Sequence, residues 1–420
     1  AQLGTDGGIA RYRLTMRPWL SFLAHRTDSF VYQDKTAAHI IEEVFKDHPS
    51  ANFTLQISQP LRMRSLCTQY RETDLAFVQR LLAEEGLTYH FEHLDAEAAK
   101  GADNMGHARH LLVVTDSAAE RPTLGDVRFA RQHVTANMAG QKDAITAFSV
   151  ARQIAANSVA LGAWDYERIA GIAATDRSAL DLGKLPALEV YDGAGAYRYE
   201  NPAHAERAAR LALAALELGY KRLEGQGSAR HFAVGRRFRL IDHPLFGANT
   251  TSNSYAGAAS ASHARPDNEF TLVEIEHRAA NNLGAQAAEL LKSSELEQGT
   301  YLNHFHCVPA VAPLVPPLVR KPTAPLNQTA LVVGIGNEPL TTDRDHRVKV
   351  QFAWQRGLRP NAGGLAHASS ADSRGNAPGN EQSGTWVRLA EPAAGANWGS
   401  VYTPRVGTEV AIGFIEGDID

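Results

Sequence analysis

Residues 71–91 read RETDLAFVQRLLAEEGLTYHF, and this stretch predicts a helix followed directly by a strand. Thr73 is a helix-capping residue type, and Asp74 stabilises the helix dipole from the first turn. We therefore expect a helix over Asp74–Glu85. Gly86 ends it, because glycine takes the positive φ of a helix C-terminus without strain, and Leu87–Phe91 continues as a strand. The predicted buried face of the helix is Leu75, Val78, Leu81 and Leu82.

The sequence before this stretch predicts a second helix and two extended segments. Thr36 is the predicted cap of a helix over about 37–47, whose apolar side chains form one stripe. Leu61–Tyr70 is predicted to be extended, and Tyr12–Arg17 to be a short strand that ends at Pro18. The stripe consists of Ile40, Ile41, Val44 and Phe45.

The middle of the chain predicts short strands separated by polar and glycine-rich stretches, a pattern typical of small β-barrels or sandwiches. An alanine-rich helix is expected over about 203–222, and Gly247–Ala264 is expected to be a loop. The predicted strands are His110–Val114, Ala144–Val150, Leu188–Tyr191, Phe238–Ile241 and Phe270–His277.

A proline-rich connector over 308–325 separates this region from a different pattern at 326–420. Five short strands there predict a small closed barrel of the oligomer-binding (OB) type, interrupted by a long loop over Gly357–Glu381. Val348, Val350 and Phe352 alternate with Arg347, Lys349 and Gln351, so one face should be buried and the other wet. The five strands are Gln328–Ile335, Arg347–Phe352, Trp386–Leu389, Gly399–Tyr402 and Glu409–Phe414.

Length and composition agree with two or three ordinary globular domains. The chain has 420 residues, 44% hydrophobic and 21% charged, with a net charge of −4, which excludes a disordered, collagen-like or disulfide-dense chain. The longest apolar stretch, Val308–Val319, has 12 residues, fewer than the roughly 20 that cross a bilayer. Ala1–Gly8 lacks the basic start and the apolar core of a signal peptide. Cys67 and Cys307 are expected to be free thiols.

The usual catalytic and cofactor motifs are missing from the sequence. His304-Phe305-His306-Cys307 is the one cluster of ligand-type residues. On a strand, alternation places the two histidines on one face and Phe305 with Cys307 on the other, which spoils a metal site. We therefore favour a structural or surface role for this segment over a metal site, and expect no metal and no cofactor.

Two further candidates carry weaker signals. Glu84 and Glu85 are adjacent on a helix, so their side chains diverge by about 100° and suit a solvated face better than an acid/base pair. Four aromatic residues of the last domain are candidates for stacking nucleic-acid bases or for the barrel core and ends. Residues 326–420 hold 8 basic and 10 acidic side chains, and a nucleic-acid groove should be basic, so we favour the barrel core and ends over base stacking. The four are Trp386, Trp398, Tyr402 and Phe414.

Beyond these candidates, the ordered motifs resemble the VgrG family, the spike proteins at the tip of the type VI secretion system. The first half resembles it over Arg71–Phe91, and over the preceding Pro18-Trp19-Leu20 and Phe30–Lys35. The last domain departs from the pattern at His346, where the family usually carries glycine. Its matching segments are Asp343 with His346–Phe352, Trp386-Val387-Arg388, Gly395–Gly399, Pro404–Val410 and Phe414–Asp418.

This resemblance implies a mainly β fold with some α: phage-tail-hub-like β-barrel domains followed by a C-terminal OB-fold barrel. Residues 1–307 would be a hub region of two small barrels with helical insertions, truncated at its N-terminus; 308–325 the connector; and 326–420 the OB collar. Family members continue into a triple-stranded β-helix needle and their hub begins before the position of Ala1, so the resemblance leads us to expect that the needle and the start of the hub lie outside these 420 residues.

The same resemblance implies function and partners. We expect a non-enzymatic homotrimer that caps a hexameric tube protein of the Hcp type and punctures target membranes to deliver effectors. A needle-tip protein of the PAAR type, effectors and baseplate components are the other implied partners; no nucleic acid is implied. The protein would assemble in the bacterial cytoplasm and then be secreted into the medium or a target cell.

Alternative readings are a hub of a phage tail or another contractile injection system, and an enzyme riding on the tip. Arg388 points outward from Val387, so it could pair across a chain boundary or within the chain. The structural residues that the family motif marks are Glu72, Asp74, Phe77, Arg80, Gly86, Arg388, Trp398, Pro404, Arg405 and Glu409.

Overall fold

The structure is a computed structural model, and it describes the chain apart from thirteen short or long segments that include 95–108, 131–142, 247–267, 281–299 and 356–378. The predicted loop Gly247–Ala264, nearly all of Gly357–Glu381 and two residues of the motif Gly395–Gly399 lie outside the described residues. The remaining undescribed positions are 1, 7–8, 181, 183, 194–197, 325–326, 337 and 396–397.

Strands dominate the described residues, with three α-helices and two 3-10 helices, at Trp19–His25 and Ile415–Gly417. None of the described helices is long and apolar enough to cross a membrane. The helices are α1 (Ala37–Lys46), α2 (Asp74–Glu84) and α3 (Pro202–Tyr220). The strands are β1 (Gln2–Asp6), β2 (Ile9–Tyr12), β3 (Thr27–Thr36), β4 (Phe53–Gln56), β5 (Met63–Thr73), β6 (Thr88–Leu94), β7 (Arg109–Thr115), β8 (Thr123–Phe129), β9 (Ala144–Arg152), β10 (Ser158–Asp165), β11 (Ala170–Arg177), β12 (Glu189–Asp192), β13 (Lys221–Gly227), β14 (Arg237–Ile241), β15 (Glu269–Ala280), β16 (Thr300–Pro309), β17 (Asn327–Val333), β18 (Arg347–Phe352), β19 (Thr385–Arg388), β20 (Ala394–Gly395), β21 (Trp398–Gly399) and β22 (Glu409–Gly413).

The helix signals are confirmed at both ends. The Thr36 hydroxyl accepts a hydrogen bond from the His39 N–H at 3.3 Å, and α1 begins directly after it. The Thr73 hydroxyl accepts one from the Ala76 N–H at 3.1 Å and caps α2. Gly86 follows α2 with a φ of 69°, as a helix-terminating glycine should. Local cap chemistry therefore sets these bounds.

Two predicted strands are wrong. Tyr12–Arg17 alternates like a strand, but only its first residue is paired, as the end of β2, and 13–18 has no regular structure. Gly399–Tyr402 contributes only Gly399, in the two-residue β21 that pairs with β20. The backbone N–H and C=O groups of a strand need hydrogen-bonding partners on a neighbouring strand. The pairing with β1 ends at Tyr12, and the pairing with β20 ends at Gly399.

The described chain forms two compact units, each assembled from three segments. The first consists of 1–18, 52–60 and 82–318, and the second of 19–51, 61–81 and 319–420. The second unit thus combines most of the opening motif with the C-terminal domain. The division of the sequence at the proline-rich connector stays a prediction.

The first unit contains a closed six-stranded barrel in the order β13-β16-β15-β14-β8-β9. A three-stranded sheet, β4-β7-β6, and a second one, β11-β10-β12, complete it, and α3 packs on the second. Aromatic rings fill the barrel, led by Phe232, Phe238, Phe270 and Phe305, all buried. The alternation predicted for the His304–Cys307 segment is confirmed, because Phe305 and Cys307 point into this core while His304 is exposed.

The second unit contains the antiparallel pair β3–β5, the helix α1 and a four-stranded antiparallel sheet in the order β19-β18-β17-β22. Val348, Val350 and Phe352 are buried in the core of that sheet, as predicted. Gln351 is also buried, so the expectation of a fully wet opposite face is wrong there. Its side-chain oxygen accepts from the Gly379 N–H and the Ser383 hydroxyl, which cover that part of the face.

A glycine opposite an aromatic ring stabilises the barrel. Gly225 on β13 pairs directly with Phe305 on β16, and a Cβ added at Gly225 would overlap the Phe305 ring. We predict that Gly225→Ala lowers the free energy of unfolding of the first unit by about 1–3 kcal/mol, because the ring must leave its rotamer. Hydrogen exchange of β13 and β16 measures the loss.

Gly171→Ala is the matched control for this prediction, since Gly171 is a strand glycine with nothing within 4 Å of an added Cβ. Equal exchange rates in the two variants would contradict the role of the Gly225–Phe305 pair.

Candidate functional site

The first half of the predicted motif surrounds a buried carboxylate. Asp74, the first residue of α2, is fully buried. One of its oxygens lies 2.9 Å from Arg26 Nε and 3.0 Å from His48 Nε2, and the other accepts from Gln69 Nε2 at 2.8 Å. A buried charge is tolerated only when paired and hydrogen-bonded, so these partners, together with the helix N-terminus, hold an ionised carboxylate in place.

A buried ion pair lies one to two turns along the same helix. Arg80 is fully buried and donates from Nη2 to Glu72 Oε1 at 2.6 Å and to the Thr68 carbonyl at 3.1 Å. The Arg80 guanidinium also stacks over the Phe77 ring at 5.2 Å. Burial raises the pKa of Glu72, and the Arg80 guanidinium opposes that shift. The pair therefore stabilises the fold only while both partners are present.

Phe77 and Gly86 make the remaining contacts of this motif. Phe77 is buried and stacks on the Tyr32 ring of β3, with ring centroids 5.6 Å apart. A Cβ at Gly86 would overlap Cδ2 of Leu211 on α3, so this position needs glycine for space as well as for its φ. The five predicted residues Glu72, Asp74, Phe77, Arg80 and Gly86 thus have packing or charge-pairing positions.

The expectation of a solvated face at Glu84 and Glu85 is wrong for Glu85. Its side chain is buried and accepts from Arg207 Nη1 at 2.9 Å, while Arg207 Nη2 donates to the Glu85 carbonyl at 3.1 Å. Arg207 lies on α3, 122 residues away in sequence, which is why a local reading missed it.

The five predicted residues of the C-terminal domain lie apart from the first set, on and between the strands of the sheet. Arg388 is exposed at the end of β19, opposite Arg347 on β18, as its alternation predicted. Arg405 and Glu409 are exposed, whereas Pro404, which precedes them in sequence, is buried. Trp398 is largely exposed, but its indole lies where a Cβ at Gly395 would be.

Three of the four candidate stacking aromatics are exposed. Trp398 is 66% and Tyr402 80% exposed, and the neighbouring Val401 is 73% exposed. Trp386 is partly exposed, whereas Phe414 packs against the core of the sheet. We call Trp398, Val401 and Tyr402 the apolar strip.

The described residues hold no group of three or more His, Cys, Asp or Glu side chains placed to bind a metal ion. Both cysteines, Cys67 and Cys307, are buried, and burial raises the pKa of the Cys307 thiol. The arrangement found in these residues is one of buried ion pairs and packed rings.

The turn before β18 contains Asp343 and His346, which the sequence marks as motif residues without predicting their contacts. Asp343 accepts from the Asp345 N–H at 3.0 Å, the Arg347 N–H at 2.9 Å and Arg347 Nε at 2.6 Å. Burial alone would raise the pKa of Asp343, but these bonds and the Arg347 charge outweigh it and lower the pKa. His346 occupies the glycine-type position with a φ of 56°, so the turn is kept despite the substitution.

Arg26, His48 and Gln69, the partners of Asp74, were also missed by sequence reasoning. Each is separated from Asp74 by 5 to 48 residues, and no local pattern links them. The Asp-x-Asp sequence at 343–345 is a turn signal that could have marked Asp343.

We predict that Arg80→Met lowers the free energy of unfolding of the second unit by about 3–5 kcal/mol, because it leaves Glu72 buried without its partner. Urea unfolding followed by tryptophan fluorescence measures this, since Trp19, Trp354, Trp386 and Trp398 lie in that unit. Arg222→Met, at an exposed strand position, is the control. A loss no larger than that of the control would contradict the prediction.

Asp343→Asn is predicted to cost about 1 kcal/mol at about pH 7, because the amide loses its charge-assisted bonds to Arg347. The folded-state pKa of Asp343 is lowered, so the wild type keeps this advantage above its unfolded-state pKa of about 4. The advantage disappears as the pH falls through the folded-state pKa. Unfolding curves from about pH 7 to about pH 2.5 that keep a constant difference would refute this.

Comparison with known proteins agrees with these features. Residues 1–283 match the phage tail baseplate hub (GPD) family, and residues 373–420 match the type VI secretion system/phage-baseplate injector OB domain. Among curated relatives, the spike protein VgrG1b of Pseudomonas aeruginosa is 30% identical over 99% of this chain and 48% of its own length. VgrG3 of Vibrio cholerae is 27% identical over 97% of this chain and 35% of its own.

The chain therefore spans about half the length, or less, of these two relatives. A solved Escherichia coli component of the type VI secretion system, described as similar to the T4 tail proteins gp27 and gp5, shares the fold. It superposes with a TM-score of 0.51 at 16% identity, over 96% of this chain and 74% of that one. The mainly β fold with a hub region and a C-terminal OB domain is thus confirmed, and the chain belongs to the phage tail baseplate hub family.

Proposed function

We propose that this chain is the hub and collar of a type VI secretion spike, a mechanical part rather than an enzyme. The observation that carries the proposal is the similarity to spike proteins along the whole chain, hub region and OB domain together. Buried ion pairs, a closed barrel filled with aromatic rings and glycine–aromatic contacts support it, because they suit a rigid body that transmits force.

In this proposal three copies assemble around an axis, with the hub end on a hexameric tube protein of the Hcp type. A needle-tip protein of the PAAR type, effectors and baseplate components are the remaining partners. The assembled tip forms in the bacterial cytoplasm and is then secreted, puncturing a target membrane. The apolar strip supports self-association, because three large apolar side chains exposed on one short segment favour burial against another surface.

The second candidate is a hub of a phage tail, favoured by the description of the family that matches residues 1–283. The two candidates share architecture and differ in their genomic neighbours: tube and sheath genes alone in the first case, capsid and head genes as well in the second. The spike-protein relatives favour the first.

The test of the proposed function is deletion of the gene in its own bacterium, scored by the tube protein in the medium. We predict that export of the tube protein falls to background and returns when the full-length gene is restored. Unchanged export in a strain that has no second spike gene would refute the proposal.

A second prediction concerns self-association of the full-length protein. Tyr402→Asp places a charge in the apolar strip and should weaken the trimer about tenfold or more, since a buried unpaired charge costs more than about 1.4 kcal/mol. Tyr191→Asp, at an equally exposed tyrosine on β12, is the matched control. Equal trimer fractions for both variants in sedimentation would contradict the placement of the apolar strip in the trimer interface.

A further inference from the structure

The turn residue His346 stands out because its backbone conformation is unfavourable for it. Its φ of 56° lies in the left-handed region, where glycine, asparagine and aspartate are the common residues. The family that the sequence resembles usually has glycine here. A histidine that keeps this conformation must be stabilised by its surroundings.

The His346 imidazole contacts two separate points of one segment. Its Nε2 lies 2.8 Å from the Thr403 hydroxyl, and its Nδ1 lies 3.2 Å from Glu391 Oε1. Glu391 is 13% exposed at its side chain, and this oxygen is buried with no hydrogen bond of standard geometry. The imidazole is thus the group placed to compensate it.

Each ring nitrogen of His346 faces one of these partners. A carboxylate only accepts hydrogen bonds, so an Nδ1 that carries a proton is the one that suits Glu391 Oε1. Nε2 shares a hydrogen bond with the Thr403 hydroxyl, and the direction of that bond depends on the tautomer. A histidine at this position therefore reaches both partners with one ring.

These two partners stand at the ends of a segment that we call the collar loop, residues 391–395 and 398–403. The loop contains the short pair β20–β21, and its backbone is closed by a hydrogen bond from the Ser400 N–H to the Ala393 carbonyl at 2.8 Å. Its large exposed apolar side chains are the apolar strip. His346 joins the two ends of the loop to the turn before β18.

That turn is itself firmly held. Asp343 accepts bonds from Asp345 and Arg347, and the His346 N–H donates to the Asp343 carbonyl at 3.2 Å. β18 continues from the turn into the middle of the four-stranded sheet. The imidazole is therefore anchored on a rigid element, whereas the collar loop has few backbone bonds of its own among the described residues.

We propose that His346 is a positioning residue that fastens both ends of the collar loop and so presents the apolar strip in one conformation. The surface that the strip meets is a second copy of this chain; that part rests on the proposed function. The fastening itself is a property of a single chain and can be measured on one.

The test is hydrogen exchange of full-length protein carrying His346→Gly. Glycine removes the imidazole and relieves the backbone, so the fold is kept while amide exchange in the collar loop rises about fivefold to tenfold, the effect of losing a hydrogen bond or two. Thr403→Val, which leaves the 343–347 turn intact, should raise exchange in the same loop.

Ile169→Gly is the matched control, because Ile169 also has a positive φ, of 51°, and is exposed at a hairpin tip. It relieves a backbone in the same way but should leave the collar loop unchanged. Collar-loop exchange equal to wild type in both His346→Gly and Thr403→Val would overturn the proposal.

Sedimentation of the same variants separates the fastening from the proposed function. If His346 positions the strip for a second copy, His346→Gly weakens the trimer and Ile169→Gly does not. A wild-type protein that stays monomeric while His346→Gly still loosens the loop would refute the interface and keep the positioning role. A trimer as strong in His346→Gly as in wild type would refute the use of the loop.

Discussion

The buried carboxylate of Asp74 is the constraint on which the second unit depends. An ionised group without water costs several kcal/mol unless it is surrounded by donors. Its partners are Arg26 before β3, which forms an ion pair with it, and His48 after α1 and Gln69 on β5, which are hydrogen-bonded to it. Pairing the Asp74 carboxylate thus requires α1, β3, β5 and α2 to be in place together. Loss of any one of these elements leaves the buried carboxylate without one of its partners and destabilises the second unit.

The Arg80–Glu72 ion pair is a second buried charge interaction that involves α2. Both charges are largely removed from water, so the pair specifies how α2 lies on β5 more than it adds net stability. Phe77, between Asp74 and Arg80 on the helix, stacks on Tyr32 and shields the pair. The spacing of these side chains is therefore a packing requirement of one helix against one pair of strands.

A second recurring arrangement is a glycine beneath an aromatic ring. It occurs at Gly225 with Phe305 in the barrel and at Gly395 with Trp398 in the collar loop. In each case the ring lies over the backbone of the paired strand, where a side chain would stand. This arrangement brings strands close and stiffens them without polar groups, which is consistent with the mechanical role that we propose.

The elements with local signals could be predicted from the sequence alone. Thr36, Thr73 and Gly86 act on atoms within about four residues, so the helix bounds follow from the sequence, and so does the burial alternation over His304–Cys307 of β16. The motif residues could also be chosen, although not their partners. Only the tertiary structure decided that Glu85 is buried by Arg207, that Gln351 is covered by Ser383, and that Tyr12–Arg17 lacks a neighbour. It also decided that three separate segments form each compact unit. The physical reason is distance along the chain: pairing of strands and charges depends on residues tens to hundreds of positions away, which no local pattern records.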